Sequence, residues 1–223
     1  TENKDDEILQ RDKKKIFNSI LRDNYQRDRL TQELQNLDFD DLILISDLDE
    51  IPKLNNLNFS LLKNNIFIFE QKIFYYKLNL LYENFSWQGT RAIKKRNLLS
   101  PQWLRNIKGK NYPKWRLDTL FSKKKYSNLI FLKDGGWHFT CLRKPEDLEK
   151  KLLNFAHHYE FEESGLKLND IEEYIKNKKN FYNYSVDKKE KKYSGEESLI
   201  VEKKDKLPKY ITDNIFKYKD WLA

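Results

Sequence analysis

A four-residue apolar run, Leu42-Ile43-Leu44-Ile45, ends at Ser46, and three carboxylates follow within four positions, Asp47, Asp49 and Glu50, ahead of Pro52. The run predicts a short buried strand, of the kind found inside a parallel sheet. Pro52 is expected to stop further strand pairing. Carboxylates at the carboxyl end of a strand lie where open α/β sheets bind their ligands. Oxygen ligands with one intervening residue suit a hard divalent cation such as Mg²⁺ or Mn²⁺. Alternation along an extended segment would put Asp47 and Asp49 on one side and Leu48 on the other. A cation held there could hold a diphosphate. The plainer alternative is a solvated acidic turn that caps a following helix.

The flanks predict helices and strands in mixed order. Ile16, Ile20, Leu21, Tyr25, Leu30, Leu34 and Leu37 recur every three or four residues, an amphipathic helix signal for the first 37 residues. Residues 56–64 read as a short helix. The β-branched and aromatic stretch Ile66–Leu78 is long enough for one bent strand or a tight pair. Further strands are expected over 85–95, over Leu129–Leu132, and from Trp137 to Cys141 after the turn at Gly135-Gly136. Pro101, Gly109 and Pro113 break up the region between 97 and 127. Pro145 opens a helix running to about His158, with Leu148, Leu152, Phe155 and Ala156 on one face. A second helix is expected near 168–179. Residues 187–206 read as an exposed loop with one short strand, and 207–222 as an aromatic tail that docks on the body. The fold class expected is α/β, a mixed sheet flanked by helices, in one domain over residues 1–223.

Composition narrows the function classes. The chain has 223 residues, 14% of them aromatic, which is too many for a disordered segment. There are 43 Lys and Arg against 35 Asp and Glu, a net charge of +8. The excess reads as spread along the chain, a solvated basic surface that also attracts anionic partners such as sugar nucleotides, acidic glycans or lipid headgroups. Peripheral association with a membrane is therefore open, and so is the oligomeric state. Cys141 is the single cysteine, so no intrachain disulfide forms. No stretch approaches the ~18 apolar residues that span a bilayer. The chain opens at Thr1 and contains no methionine, so it is expected to be part of a longer protein, with any anchor upstream.

Four further groups carry chemistry-bearing residues. Gly136-Trp137-His138 places one of only three histidines after a double glycine, where the backbone can approach a ligand and the imidazole can complete a carboxylate-bound metal site. Its alternative is a hydrogen-bonded structural histidine. His157-His158-Tyr159-Glu160 falls at a predicted helix end. There a histidine can cap the helix, or Glu160 or His158 can serve in acid–base chemistry or bind the acceptor. Trp87-Gln88-Gly89-Thr90-Arg91 offers an aromatic face for a sugar ring. Arg91, Arg96, Arg105 or Arg116 could clamp a phosphate, with Arg91 and Arg116 preferred. Asp118 and Glu50 join Glu160 as carboxylates that could act as a general base, although Glu50 also suits a role in ordering its turn.

Taken in order, Tyr25-Gln26-Arg27-Asp28, Asp40 through Pro52, Trp87-Gln88-Gly89-Thr90, Gly136-Trp137-His138-Phe139 and His158-Tyr159-Glu160-Phe161 resemble glycosyltransferase family 17, over roughly residues 20–165. That family includes the β-1,4-mannosyl-glycoprotein β-1,4-N-acetylglucosaminyltransferases. The resemblance implies a glycosyltransferase A fold, a UDP-sugar donor, UDP-GlcNAc first, a glycan acceptor, and inversion at the anomeric carbon. It implies that Asp49 binds the metal directly, that Asp47 contacts the ribose or a metal-bound water, and that His138 makes a second metal contact. It also implies a first strand, cradling uracil, ahead of the Gln-Arg segment. Only 24 residues precede Tyr25 and they read as helix, so that strand is expected outside this chain. A Lys- and Asn-rich chain with one cysteine looks microbial or viral, hence cytoplasmic; a eukaryotic fragment of such a family would sit in the Golgi lumen.

The main rival is a nucleotide- or carbohydrate-binding module without turnover, derived from such a transferase. A metal-dependent phosphoester hydrolase needs clustered aspartates with several histidines or a catalytic Asp-Thr pair, neither of which surrounds Asp47. A nucleic-acid binder needs a basic stripe or a recognition motif, and none is recognisable.

Overall fold

The computed structural model describes residues 2–58, 61, 65–113, 115–119, 121–154, 158–184, 192, 193, 195 and 197–223. Side chains are described from Gln10 onward, residues 11, 12 and 56 apart. The protein is mixed α/β, with a seven-stranded mixed sheet flanked by helices. The chain divides into two compact units. One takes residues 1–25, 74–85 and 140–223; the other takes 26–73 and 86–139.

The second unit carries β1 (Leu42–Ile45), β2 (Glu50–Pro52), β5 (Leu129–Leu132) and α2 (Pro101–Asn106). It also carries most of β3 (Ile66–Tyr75), β4 (Leu80–Lys94) and β6 (Gly136–Thr140). The sheet order is β1-β4-β3-β6-β2, with β5 paired to β3. β5 runs parallel to β3, Ile66 opposite Leu129. β1 lies antiparallel to β4, Leu42 opposite Lys94 and Ile45 opposite Arg91. The opening run is therefore an edge strand in an antiparallel pair, not the interior of a parallel sheet. It is apolar throughout because both faces are covered. Ile43 and Ile45 pack with Ile66, Ile68, Ile93, Leu104 and Ile107. Leu42 and Leu44 pack with Phe67, Phe69 and Ala92 on the other side.

β2 was not expected as a strand. Three residues, one of them Pro52, pair antiparallel with β6, and a last bond follows from Lys53 N–H to the Gly135 carbonyl at 2.8 Å. Gly136 makes this pairing possible. Its φ is +132°, and a Cβ there would meet the Ile51 carbonyl at 2.1 Å. The close approach predicted for the glycine pair is to a neighbouring strand rather than to a ligand. The stretch Ile66–Leu78 forms one strand that ends at Tyr75, ahead of Tyr76, whose φ is +58°. The helix expected over 56–64 begins as a single 3₁₀ turn at Leu54–Asn56; residues 59, 60 and 62–64 lie outside the described residues.

The first unit holds α3 (Pro145–Asn154), α4 (His158–Ser164), α5 (Leu168–Lys176), β7 (Ile200–Val201) and α6 (Lys209–Asp213). α3 ends four residues before His158, so His158 opens α4 instead of closing the helix from Pro145. It is buried there. Leu148 and Leu152 of the predicted face are buried; Phe155, Ala156 and His157 lie outside the described residues. The 187–206 segment supplies its short strand, β7, but Gly195 and Leu199 are buried rather than exposed, and Tyr193 stacks on Phe181 with centroids 5.9 Å apart. The tail docks as expected: Leu207 and Ile211 are buried and Leu78 N–H donates to the Trp221 carbonyl at 2.8 Å. The amphipathic signal at the start appears as α1 (Glu2–Glu33), although Phe17, Ile20, Leu21 and Tyr25 stay exposed. Among the described residues, no helix is long and apolar enough to cross a membrane.

Replacing Gly136 by alanine should strain the backbone by about 1–3 kcal/mol and also drive a methyl group into β2. A urea unfolding midpoint unchanged from wild type would show that β2 does not depend on this contact.

Candidate functional site: the Asp47–Glu50 turn

The acidic segment is a tight turn, closed by Glu50 N–H donating to the Asp47 carbonyl at 3.0 Å. Extended-strand alternation does not apply inside a turn, and the carboxylates go to different partners. Glu50 points inward. Its side chain is fully buried, with 0% exposure, and both oxygens are saturated. Oε1 accepts from Trp87 Nε1 at 2.8 Å and Arg105 Nη2 at 3.0 Å. Oε2 accepts from Asp47 N–H and Arg105 Nη1, each at 3.1 Å, and from Thr90 Oγ1 at 3.5 Å. Arg105 thus grips Glu50 with both ends of its fork, and its Nη1 also reaches the Gly89 carbonyl at 2.8 Å. Below this pair, Ser46 Oγ and Thr90 Oγ1 share a 2.5 Å hydrogen bond, and Gln71 Nε2 donates to Thr90 Oγ1 at 3.3 Å.

Asp47 is held by two arginines, Oδ2 by Arg105 Nη2 at 2.6 Å and Oδ1 by Arg27 Nη2 at 3.1 Å. Arg27 is steadied in turn by Gln102, 3.2 Å away. Asp49 faces outward. Its side chain is 42% exposed and lies beside His138, Oδ1 to Nδ1 3.9 Å. The β2–β6 register sets this proximity, because Glu50 pairs with His138 and the Asp49 carbonyl accepts from Phe139 N–H at 2.8 Å. Trp87 stacks on the His138 imidazole, centroids 4.7 Å apart and planes 22° apart. The indole is committed to Glu50 and His138, and Leu48 at the tip is fully exposed.

The structure therefore brings Asp47, Asp49, Glu50, Trp87 and His138 together. It gives the other expected site residues different work. Arg91 is buried and donates to the Leu104 and Arg105 carbonyls at 2.7 and 2.5 Å, at the end of α2, not to an open surface. Burial first, then the like charge of Arg105, pushes it down to about 10. Arg116 clasps Asp118 through two 2.8 Å bonds, and Lys125 adds a third contact to Asp118 at 2.6 Å. These hydrogen bonds hold the Asp118 carboxyl down to about 2, which makes it a weak base. Glu160 belongs to the first unit, on α4, 3.6 Å from Lys192. Arg27 and Gln102 were not anticipated as members of the turn. Arg105 was anticipated only as a phosphate clamp. The shared feature that could have pointed to them is a surplus of carboxylates at the turn, which needs cations from elsewhere.

As a cation site the turn is incomplete by itself. Among the described residues no group of three or more His, Cys, Asp or Glu side chains is placed to hold a metal. Asp49 and His138 nevertheless fit one. Two ligands about 2.1 Å from a common ion lie between about 3 and about 4 Å apart, and 3.9 Å falls in that range. A carboxylate with an imidazole suits Mn²⁺.

No protein family, curated protein or solved structure matches the chain.

Arg105→Met leaves the buried Glu50 carboxylate without its cation and should cost about 3–5 kcal/mol of stability. Arg27→Ala removes a half-exposed pair worth about 0–1 kcal/mol. Denaturant unfolding that finds the two variants equal would sink the assignment of Glu50 as the organiser of the turn. Asp118 should titrate by NMR near pH 2. Its pairing favours the folded state above the ordinary value of 3.8, and that contribution is lost as pH falls through about 2.

Proposed function

We propose that the chain is a glycosyltransferase of the A-type fold, and that the Asp47–Glu50 turn binds the diphosphate of a nucleotide-sugar donor, UDP-GlcNAc first. The observation that carries the reading is the half-exposed Asp49 carboxylate set 3.9 Å from His138 Nδ1 at the end of the β2–β6 pair. Asp49 and His138 would hold Mn²⁺ or Mg²⁺, which supplies positive charge beside the departing diphosphate. Two protein ligands suffice for such ions when substrate phosphates and water complete the shell. Asp47 orders the turn through Arg27 and Arg105 instead of joining the ligands. Trp87 fixes the imidazole plane by stacking, and Glu50 fixes Trp87.

One observation favours a second reading, binding without turnover. Deprotonating an acceptor hydroxyl needs a carboxylate with a free oxygen. Both oxygens of Glu50 are taken, and Asp118 is clamped by Arg116 and Lys125. Glu160, the other base expected, lies in the first unit, 3.6 Å from Lys192. The two readings share the donor site and differ in the base.

Calorimetric titration with UDP, GDP and CMP, each with and without Mn²⁺, tests the shared part. UDP should bind only with Mn²⁺, and Asp49→Ala should abolish that signal. UDP binding that ignores both Mn²⁺ and the substitution removes the metal site. Transfer from UDP-GlcNAc to a glycan, absent in Asp49→Ala, selects the enzyme; Mn²⁺-dependent UDP binding with neither transfer nor hydrolysis selects the binding module.

A further inference from the structure

One loop of the second unit carries a dense run of positive charge. From Lys108 to Lys125 there are seven Lys or Arg residues and one acid, Asp118, a local net charge of +6. The loop is closed at its base. Lys108 N–H donates to the Lys124 carbonyl at 2.8 Å, and Trp103 Nε1 donates to the Lys123 carbonyl at 2.9 Å while packing edge-on against Tyr126. Inside it, the Tyr112 ring lies 5.4 Å from the Arg116 guanidinium and 5.7 Å from the Lys125 ammonium, the two groups that also bind Asp118.

Three large apolar side chains of this loop are turned to solvent. Trp115 is 79% exposed, Leu117 72% and Phe121 89%. These three side chains fall within seven positions of one short loop, an exposure that suits entry into a partner surface. Apolar wedges flanked by lysines match the interface of an anionic bilayer, where apolar side chains enter the acyl boundary and cations meet the headgroups. Tryptophan sits well at that depth. A single-stranded nucleic acid would use the cations and could stack on Trp115, but it gives an exposed leucine nothing to do.

We infer that this loop docks the chain on an anionic lipid surface, with Trp115, Leu117 and Phe121 entering the interface and Lys110, Lys123 and Lys124 against the headgroups. The inference does not rest on the transferase reading, since none of the turn residues takes part.

Co-sedimentation of the whole chain with phosphatidylcholine vesicles, with and without phosphatidylserine, at low and high salt, tests it. Wild type should pellet with the phosphatidylserine vesicles and be released by salt. Lys123→Ala/Lys124→Ala should weaken partitioning roughly tenfold to thirtyfold. Leu117→Ser/Phe121→Ser, which leaves the charge unchanged, should weaken it by at least roughly tenfold. All these side chains are exposed, so circular dichroism and the urea midpoint should match wild type. Failure of wild type to pellet with anionic vesicles overturns the inference, as does wild-type binding by the Leu117/Phe121 variant. Retention on single-stranded DNA at a salt concentration that releases the vesicles overturns it in favour of nucleic acid.

Discussion

The Arg105–Glu50 pair is the interaction on which the second unit's polar architecture depends. Taking a carboxylate out of water costs several kcal/mol unless good geometry and further hydrogen bonds offset it. Glu50 receives a two-pronged guanidinium, an indole N–H, a hydroxyl and a backbone N–H. Those donors come from α2, from β4 and from the turn itself, so the carboxylate fastens three segments at one point. Arg105 can reach it because α2 is pinned by its apolar side. Leu104 and the following Ile107 sit in the core with Ile43 and Ile45. Ser100 Oγ accepts from Trp103 N–H at 3.0 Å to cap the helix, and Pro101 suits its first turn. Apolar packing thus places a cation, the cation permits a buried acid, and the acid shapes the turn that presents Asp49.

Much of this was legible where the signal is local. β5, β6 and α5, the start of α3 and the docking tail follow from apolar periodicity, proline and glycine. Less was legible where the outcome depends on distant partners. The run Leu42–Ile45 satisfies an interior parallel strand and a doubly covered antiparallel edge equally well, and only its pairing with β4 separates them. β2 is three residues with a charged member and a proline, too short for any period to register. The acidic cluster itself was plain from spacing, but its cations were not. Arg27 and Arg105 lie 20 and 58 positions from Asp47, and no local pattern spans such gaps. Arg91, adjacent to the Trp87–Thr90 segment, was the natural choice of phosphate ligand, yet it is turned onto the carbonyls that end α2, where a cation is favoured.

The first unit solves a different problem, that of burying many phenols. Tyr75, Tyr76 and Tyr82 are almost wholly enclosed, among Phe181, Tyr182 and Tyr184. Tyr75 donates to the Tyr182 carbonyl at 3.2 Å and Tyr76 to the Lys179 carbonyl at 3.1 Å. Burial pushes both phenols well above their ordinary value, so they remain neutral donors across the physiological range. Edge-on ring contacts, such as the 88° angle between Tyr75 and Tyr82, suit the ring quadrupole. The buried hydroxyls of Tyr75 and Tyr76 fix which backbone carbonyls must lie nearby, and the Lys179–Tyr182 segment is held that way.

The same arithmetic of partners bears on how a cation would bind at the turn. A carboxylate shared by two guanidinium groups has little negative charge left to offer, so Asp47 adds little to the field at Asp49. One exposed carboxylate and one imidazole make a weak site for a hard ion that prefers six oxygen-rich ligands. On the proposed reading, metal and diphosphate must therefore bind together, each supplying what the other lacks. A site built this way holds its cation only when the donor is present. On that reading it would lose the cation without the donor, because Asp47, which might have retained it, is spent on Arg27 and Arg105.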